Sequence, residues 1–289
     1  MRRGAATTFT LLSPWLLTFA VFWLYPLLYA LVMSFTDYRT LTNEMSWIGF
    51  DNYEAVFKDK MFWKALLNTV VFTFGTVPVT TAFALALATA LRGRSAVFSS
   101  WMRASYFLPS VTSLVVIALI FTNLYARDGY INALCALLGV PHPENGWLMT
   151  EGTALPAIMA MDVWISTGYY MVLFMAGMES IPKDLYESAE LSGASAWQQF
   201  KRITLPLLRP TLTFVVVINS IKSFQIFVEV YVMTKGGPLG ATTTLVYSVY
   251  HNAFEQSDMM GYASALAYVV FVILLGMSLV QMRMLRSKT

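Results

Sequence analysis

The sequence predicts an all-α integral membrane protein with six transmembrane helices. Three observations carry that expectation: a composition suited to lipid, long charge-free runs, and lysine and arginine concentrated on one side. The chain has 289 residues, of which 57% are hydrophobic and only 12% charged. A soluble domain of this size carries about a quarter charged residues. The formal net charge of +3 is small, which argues against nucleic acid as a partner.

The spans follow from the spaces between charges. Residues 4–36, 65–91, 104–126 and 259–282 contain no Asp, Glu, Lys or Arg; residues 152–178 carry only Asp162, and residues 210–234 only Lys222 and Glu229. Each run exceeds the ~20 residues a helix needs to cross the hydrocarbon. The expected spans are 9–35, 66–91, 104–126, 154–178, 210–233 and 260–282, within a single domain covering 1–289. The first follows Met-Arg-Arg, as a signal peptide does. Its apolar run is far longer than the ~7–15 residues of a signal h-region, and it is read as a span. Pro14, Pro26, Pro78 and Pro109 imply kinked, packed helices, which lipid tolerates when neighbours satisfy the freed backbone groups.

Sidedness sets the orientation. Arg2, Arg3, Arg92, Arg94, Arg103, Lys183, Lys201, Arg202, Arg209, Arg283, Arg286 and Lys288 fall on one side, against Arg39, Lys58, Lys60, Lys64, Arg127 and Lys235 on the other. The richer side is expected to be cytoplasmic, which places both termini there. The lone Cys135 excludes an intramolecular disulfide and offers no thiolate metal site. His142 and His251 read as polar loop residues.

On that cytoplasmic side, residues 179–209 form the one long polar interruption, including YESAELSGASAWQQFKRITLPLLRP. Pro182 suits a helix start, Asp184 and Glu187 lie near the positive end of the dipole, and Gly193 permits a sharp turn. Ala196, Phe200, Ile203 and Leu207 recur at helical spacing. Pro206 is expected to break this second helix, and Pro210 to open the fifth span. A surface helix on anionic lipid would be basic, whereas here Glu179, Asp184, Glu187 and Glu190 nearly balance Lys183, Lys201, Arg202 and Arg209. A protein socket suits such a knob better.

This segment resembles the EAA motif of binding-protein-dependent ABC importer permeases. Glu187, Ser188, Ala189, Gly193, Ile203, Leu205 and Pro206 fall at the motif's spacing, with Ser188 in place of the usual second alanine. The resemblance implies the type I ABC importer permease fold, with a cytoplasmic coupling helix that docks on a separate ATPase. No G-x-x-x-x-G-K-[ST] loop occurs in the chain, so ATP and Mg would be bound by that partner, and this chain is not expected to be an enzyme. Three further stretches, PWLLTFAVFWLYPLLYALVMSFTDY, IGFDNYEAVFKDKMFWKALLNTVVFT and VYVMTKGGPLGATTTLVYSVYHNAF, resemble the carbohydrate-importer permeases, the maltose and glycerol-3-phosphate group among them. The likeness is to the first of the two paired sugar permeases. It implies a second permease subunit, two ATPase subunits and an extracytoplasmic sugar-binding protein as partners. On the external side, Asp51 and Glu54 have capping-box spacing, so a helix is expected from Asn52. Tyr53, Phe57, Phe62 and Trp63 would hold it at the interface.

Ionisable groups at membrane depth point to a pathway. Asn219, Lys222, Ser223 and Ile226 share one helical face, with Gln225 and Glu229 beside it; Asp162, Trp164, Ser166, Tyr169 and Tyr170 supply polar and aromatic groups on the fourth span. Tyr169, Asn219, Lys222 and Ser223 are the candidate substrate contacts. The alternative is interhelical bonding, with Lys222 paired to Glu229 or Asp162; an unpaired Lys222 would favour an anionic sugar or a glycerol-phosphate-type substrate. An ion-driven secondary transporter is a competing reading that leaves the motif spacing unexplained. An integral-membrane enzyme finds no metal-ligand or nucleophile–base cluster to use.

Overall fold

The computed structural model describes residues 2–40, 44–256 and 259–285, with side chains over 10–40, 44–256 and 259–283. Arg286 and Lys288, counted above in the basic bias, lie outside the described residues, and Arg2 and Arg3 are described in backbone only. In chain order the helices are α1 (Arg2–Phe19), α2 (Tyr25–Met33), α3 (Asp51–Lys58), α4 (Lys60–Leu91), α5 (Ala96–Val111), α6 (Leu114–Leu124), α7 (Tyr130–Leu137) and α8 (Glu151–Glu179). They continue with α9 (Asp184–Leu191), α10 (Ala196–Gln199), α11 (Leu205–Leu207), α12 (Arg209–Phe224), α13 (Val228–Met233), α14 (Leu245–Tyr250) and α15 (Met260–Leu285). Two isolated bridges, Thr36 with Trp47 and Arg39 with Glu44, are the β pairing among the described residues.

Five stretches are long and apolar enough to cross a membrane: Thr10–Met33, Lys60–Leu91, Glu151–Glu179, Arg209–Met233 and Met260–Arg283. The expected span 104–126 takes a different form. It is the end of α5 and all of α6, which meet at 94°. The physical cause is local. Pro109 has no N–H to give to the helix, and Thr112 turns extended at ψ 152°. Thr112 N turns to Pro109 O at 3.2 Å, and the Leu108 carbonyl it would have met accepts from Thr112 Oγ1 at 2.9 Å; Ser110 Oγ donates to Phe107 O at 2.6 Å. Charge spacing cannot register such a bend, since neither arm carries a charge near it. The fifth span is broken too, between α12 and α13, where Thr244 Oγ1 donates to Ile226 O at 3.1 Å.

The chain forms two compact units, residues 1–63 with 248–272 and residues 64–247 with 273–289. In the first, α1 and α2 run through a π-helical turn at Ala20–Leu24. Asn52 Nδ2 fastens α3 to the end of α2's connection, donating to Ser34 O at 2.9 Å and Thr36 O at 3.0 Å. Helix α3 begins at Asp51 rather than Asn52, and Phe50, not Asp51, is its N-cap. Glu54 therefore pairs forward with Lys58 instead of closing a capping box; that partner holds its carboxyl below the usual range.

The second unit is organised around α8, most of whose central residues are buried. Two apolar clusters meet along it. Leu155, Ile158, Met161 and Ile165 pack with Ile117, Val230 and Tyr247 in one. Tyr170, Met171, Phe174 and Met178 pack with Ala84, Ala88, Leu208 and Val215 in the other. The close fit of α5 on α8 depends on Gly168, where an added Cβ would lie 1.7 Å from the Tyr106 carbonyl oxygen. Gly276 on α15, by contrast, faces open space. Gly168→Ala should therefore destabilise the detergent-solubilised protein by about 1–3 kcal/mol, as overpacking does, lowering its thermal midpoint, while Gly276→Ala leaves that midpoint unchanged.

Candidate functional site

Between the two apolar clusters, α8 and α12 are joined by charge. Lys222 Nζ lies 2.8 Å from Asp162 Oδ1 and donates to Ser166 Oγ at 2.6 Å. Ser166 Oγ in turn donates to Asp162 Oδ1 at 3.3 Å. The Asp162 side chain is 2% exposed and that of Lys222 is 43% exposed, so one end of the bridge is sealed and the other is open. An ammonium has three N–H donors, of which two are used. Asp162 Oδ2 is buried without a hydrogen-bond partner among the described residues.

Lys222 thus pairs with Asp162 and not with Glu229. The helix ends between Lys222 and Glu229, and Glu229 lies in the first turn of α13 instead. Its side chain is buried there, where the positive end of the helix dipole favours a carboxylate.

The four candidate contacts divide. Tyr169 is half exposed and stacks edge-on with Tyr170 at 5.2 Å, and Lys222 is open as described. Trp164 and Gln225 are also exposed. Asn219 and Ser223, on the same face, are buried against α4: Ser223 Oγ lies 3.3 Å from Thr76 Oγ1 and 3.4 Å from Asn219 Oδ1. Asn219 Nδ2 has no acceptor among the described residues, which carries the desolvation cost of an unmade bond, ~1–3 kcal/mol. Thr76 was missed from sequence, although Thr69, Thr73, Thr76 and Thr80 follow helical spacing on α4 and all are buried. That threonine stripe was the available signal.

The hinged segment is built from local chemistry. At the end of α9, Gly193 N donates to Glu190 O and Ala194 N to Ala189 O, both at 2.9 Å. These two bonds form a Schellman motif. It needs the left-handed backbone that Gly193 supplies at φ +74°. Two residues later a capping box opens α10: Gln198 N donates to Ser195 Oγ at 3.3 Å, and Ser195 N donates to Gln198 Oε1 at 2.8 Å. Pro206 does not break the helix as expected. A π-helical turn at Phe200–Thr204 precedes it, Leu205 N bonding Phe200 O, and this absorbs the proline's missing donor. Pro206 then sits in the first turn of α11, and Pro210 in the first turn of α12.

The segment is anchored by residues outside the motif. Tyr186, 7% exposed, is the buried side chain of α9, while Leu185 beside it is exposed. Tyr186 Oη is 2.9 Å from Thr204 Oγ1. Arg92, from the end of α4, lies 3.6 Å over the Tyr186 ring and donates to Thr204 Oγ1 at 3.4 Å. Glu187 and Ser188 face outward, Gly193 and Pro206 are exposed, and Ala189, Ile203 and Leu205 are half-buried. Leu191 and Trp197 present exposed apolar surface beside them.

The family described as "Binding-protein-dependent transport system inner membrane component" matches residues 60–285. A lactose transport system permease protein, LacF of Rhizobium radiobacter, is 32% identical over 278 residues, covering 96% of this chain and 93% of that protein. The trehalose/maltose transport system permease protein MalF of Thermococcus litoralis is 33% identical over 291 residues, covering 99% and 96%. Among solved structures, a bacterial ABC transporter involved in import of the acidic polysaccharide alginate superposes with a TM-score of 0.86 at 22% identity, covering 99% of this chain and 97% of that one. The fold is shared at that distance.

The bridge between α8 and α12 can be weighed by a double-mutant cycle. Asp162→Asn alone leaves a cation without its carboxylate and Lys222→Gln alone leaves a buried carboxylate without its cation. Each should cost about 2–4 kcal/mol, the half-open lysine placing it toward the lower end. The pair together should recover at least half of that loss in thermal unfolding.

Proposed function

Since the chain belongs to the family of binding-protein-dependent transport system inner membrane components, we propose that it is the permease subunit of an ATP-driven importer for a neutral sugar or oligosaccharide. It is a transport component and not an enzyme. Its partners are a second permease subunit, forming a pseudo-symmetric pair, two ATPase subunits that bind ATP and Mg, and an extracytoplasmic binding protein. Both termini and the hinged segment face the cytoplasm. The sugar permeases among its relatives support the cargo class.

The observation that carries the coupling role is the anchoring of α9. Two helices locked by a Schellman motif and a capping box make a stiff knob, and Arg92, Tyr186 and Thr204 bind that knob to the end of α4 and to the helical run entering α12. A push on the exposed face of Glu187, Ser188 and Leu191 is then transmitted to α12, which holds Asn219, Lys222 and Ser223. A flexible loop would absorb the push as entropy.

The Asp162 pairing favours neutral over anionic cargo. Lys222 already has its counter-charge, and Glu229 adds a second carboxylate to the same region. An anionic sugar or a glycerol phosphate meets no uncompensated cation there. A neutral sugar can accept the third Lys222 N–H and stack on Tyr169 or Trp164. Asn219 Nδ2, buried and unpaired, gains an acceptor when opening of the α4–α12 contact admits a hydroxyl.

The test is ATPase activity and uptake by the complex reconstituted with its binding protein, across neutral and acidic sugars. Neutral sugars should stimulate, and Lys222→Ala with Asn219→Ala should lower uptake by at least tenfold. Glu187→Lys and Gly193→Pro should abolish sugar-stimulated hydrolysis while the protein still inserts. Wild-type uptake in both would sink the lever. Uptake by the chain without ATP would favour an ion-driven carrier.

A further inference from the structure

At the end of the second unit that carries the hinged segment, four cations converge on one pocket. It has a volume of about 330 Å³ and lies between the end of α4, the start of α5 and the end of α8. Arg92, Arg94, Arg103 and Lys183 line it, with Glu179 the one carboxylate on its wall. Arg92 is fixed over the Tyr186 ring. Arg103 Nη1 reaches Glu179 Oε1 only at 3.9 Å, and that carboxylate is largely exposed. Arg94 and Lys183 make no ion pair among the described residues.

Sidedness accounts for basic residues at this end, but it does not require them to converge. Lys201, Arg202 and Arg209 satisfy the same bias without lining this pocket. Like charges gathered in a concave site raise the local potential and attract an anion.

The rest of the lining is apolar. Ala88, Leu91, Met175 and Met178 contribute to the pocket wall. Beside it runs a more open groove of about 610 Å³, lined by Ala90, Leu91, Arg94, Ser95 and Phe98 and sharing Leu91 and Arg94 with the pocket. Either side of Phe98, α5 presents Val97 and Trp101, both exposed. A cationic pocket joined at Arg94 to an apolar track fits an amphiphile better than a free ion.

We propose that this pocket binds the phosphate headgroup of an anionic membrane lipid, with its chains along the exposed face of α5. Basic pockets between membrane helices take such headgroups. The single negative charge of the lipid phosphate would be shared between Arg94 and Lys183. Because Lys183 is the N-cap of α9, the lipid ties the root of the hinged segment to the α4–α5 corner. This inference is independent of the sugar reading.

The test uses the full chain in nanodiscs of equimolar phosphatidylglycerol and phosphatidylcholine, with native mass spectrometry counting the lipids retained on release. Phosphatidylglycerol should be retained over phosphatidylcholine. Arg94→Gln with Lys183→Gln should reduce that retention by about tenfold, and Lys201→Gln with Arg202→Gln should leave it unchanged. Both pairs are exposed side chains, and circular dichroism melts verify that each variant is folded. A second arm titrates millimolar inorganic phosphate against the thermal midpoint in a zwitterionic detergent. Phosphate protection abolished by the Arg94/Lys183 pair, without selective lipid retention, would reassign the pocket to a soluble anion and overturn the lipid assignment. Equal retention of the two lipids, or undiminished phosphatidylglycerol in the Arg94/Lys183 pair, would overturn it outright.

Discussion

A backbone in hydrocarbon has no water to bond with, so each freed N–H and C=O must find a partner inside the protein. The departures from straight helix in this chain are shaped by that demand. At the α5–α6 bend the partners are the hydroxyls of Ser110 and Thr112. At the α12–α13 break, Thr244 takes the Ile226 carbonyl. Outside the apolar stretches, before Pro206, a π-helical turn meets the loss of the proline donor by shifting the bonding register itself. The broken helices are thus hydrogen-bonded structures.

The same demand confines the polar groups between spans. Asp162 is tolerable at 2% exposure because Lys222 neutralises it and Ser166 adds a hydrogen bond. An ammonium already matched in this way has hydrogen bonds to offer but little net attraction for an anion. Asn219 and Asp162 each keep one buried atom without a partner among the described residues. Such atoms favour any rearrangement that supplies one.

Mechanical continuity runs from the hinged segment inward. Its two short helices are held by backbone bonds that depend on Gly193 and Ser195, and its single buried ring, Tyr186, is clamped between Arg92 and Thr204. Thr204 lies two residues before Pro206 and six before Pro210, so the clamp leads directly into α12. The motif residues Glu187 and Ser188 are left facing outward, available to a partner, because the anchoring is done by residues the motif does not contain.

The sequence by itself determined the helical membrane class, the approximate positions of the spans, the family, and the hinge at Gly193. Each of these rests on patterns local along the chain: charge spacing, apolar run length, a glycine between two helical periods. The expectation for the third span failed in form because a 94° bend between two uncharged arms leaves no trace in charge spacing. Pro206 was misread because whether a proline breaks a helix depends on the register of the turn before it. Only the tertiary structure decided that Lys222 meets Asp162 rather than Glu229, that Thr76 from α4 completes the environment of Ser223, and that Arg92 reaches Tyr186 across more than ninety positions. Those are contacts between helices distant in sequence, and their identity is fixed by packing, such as the approach of Gly168 to Tyr106, which no one-dimensional period encodes.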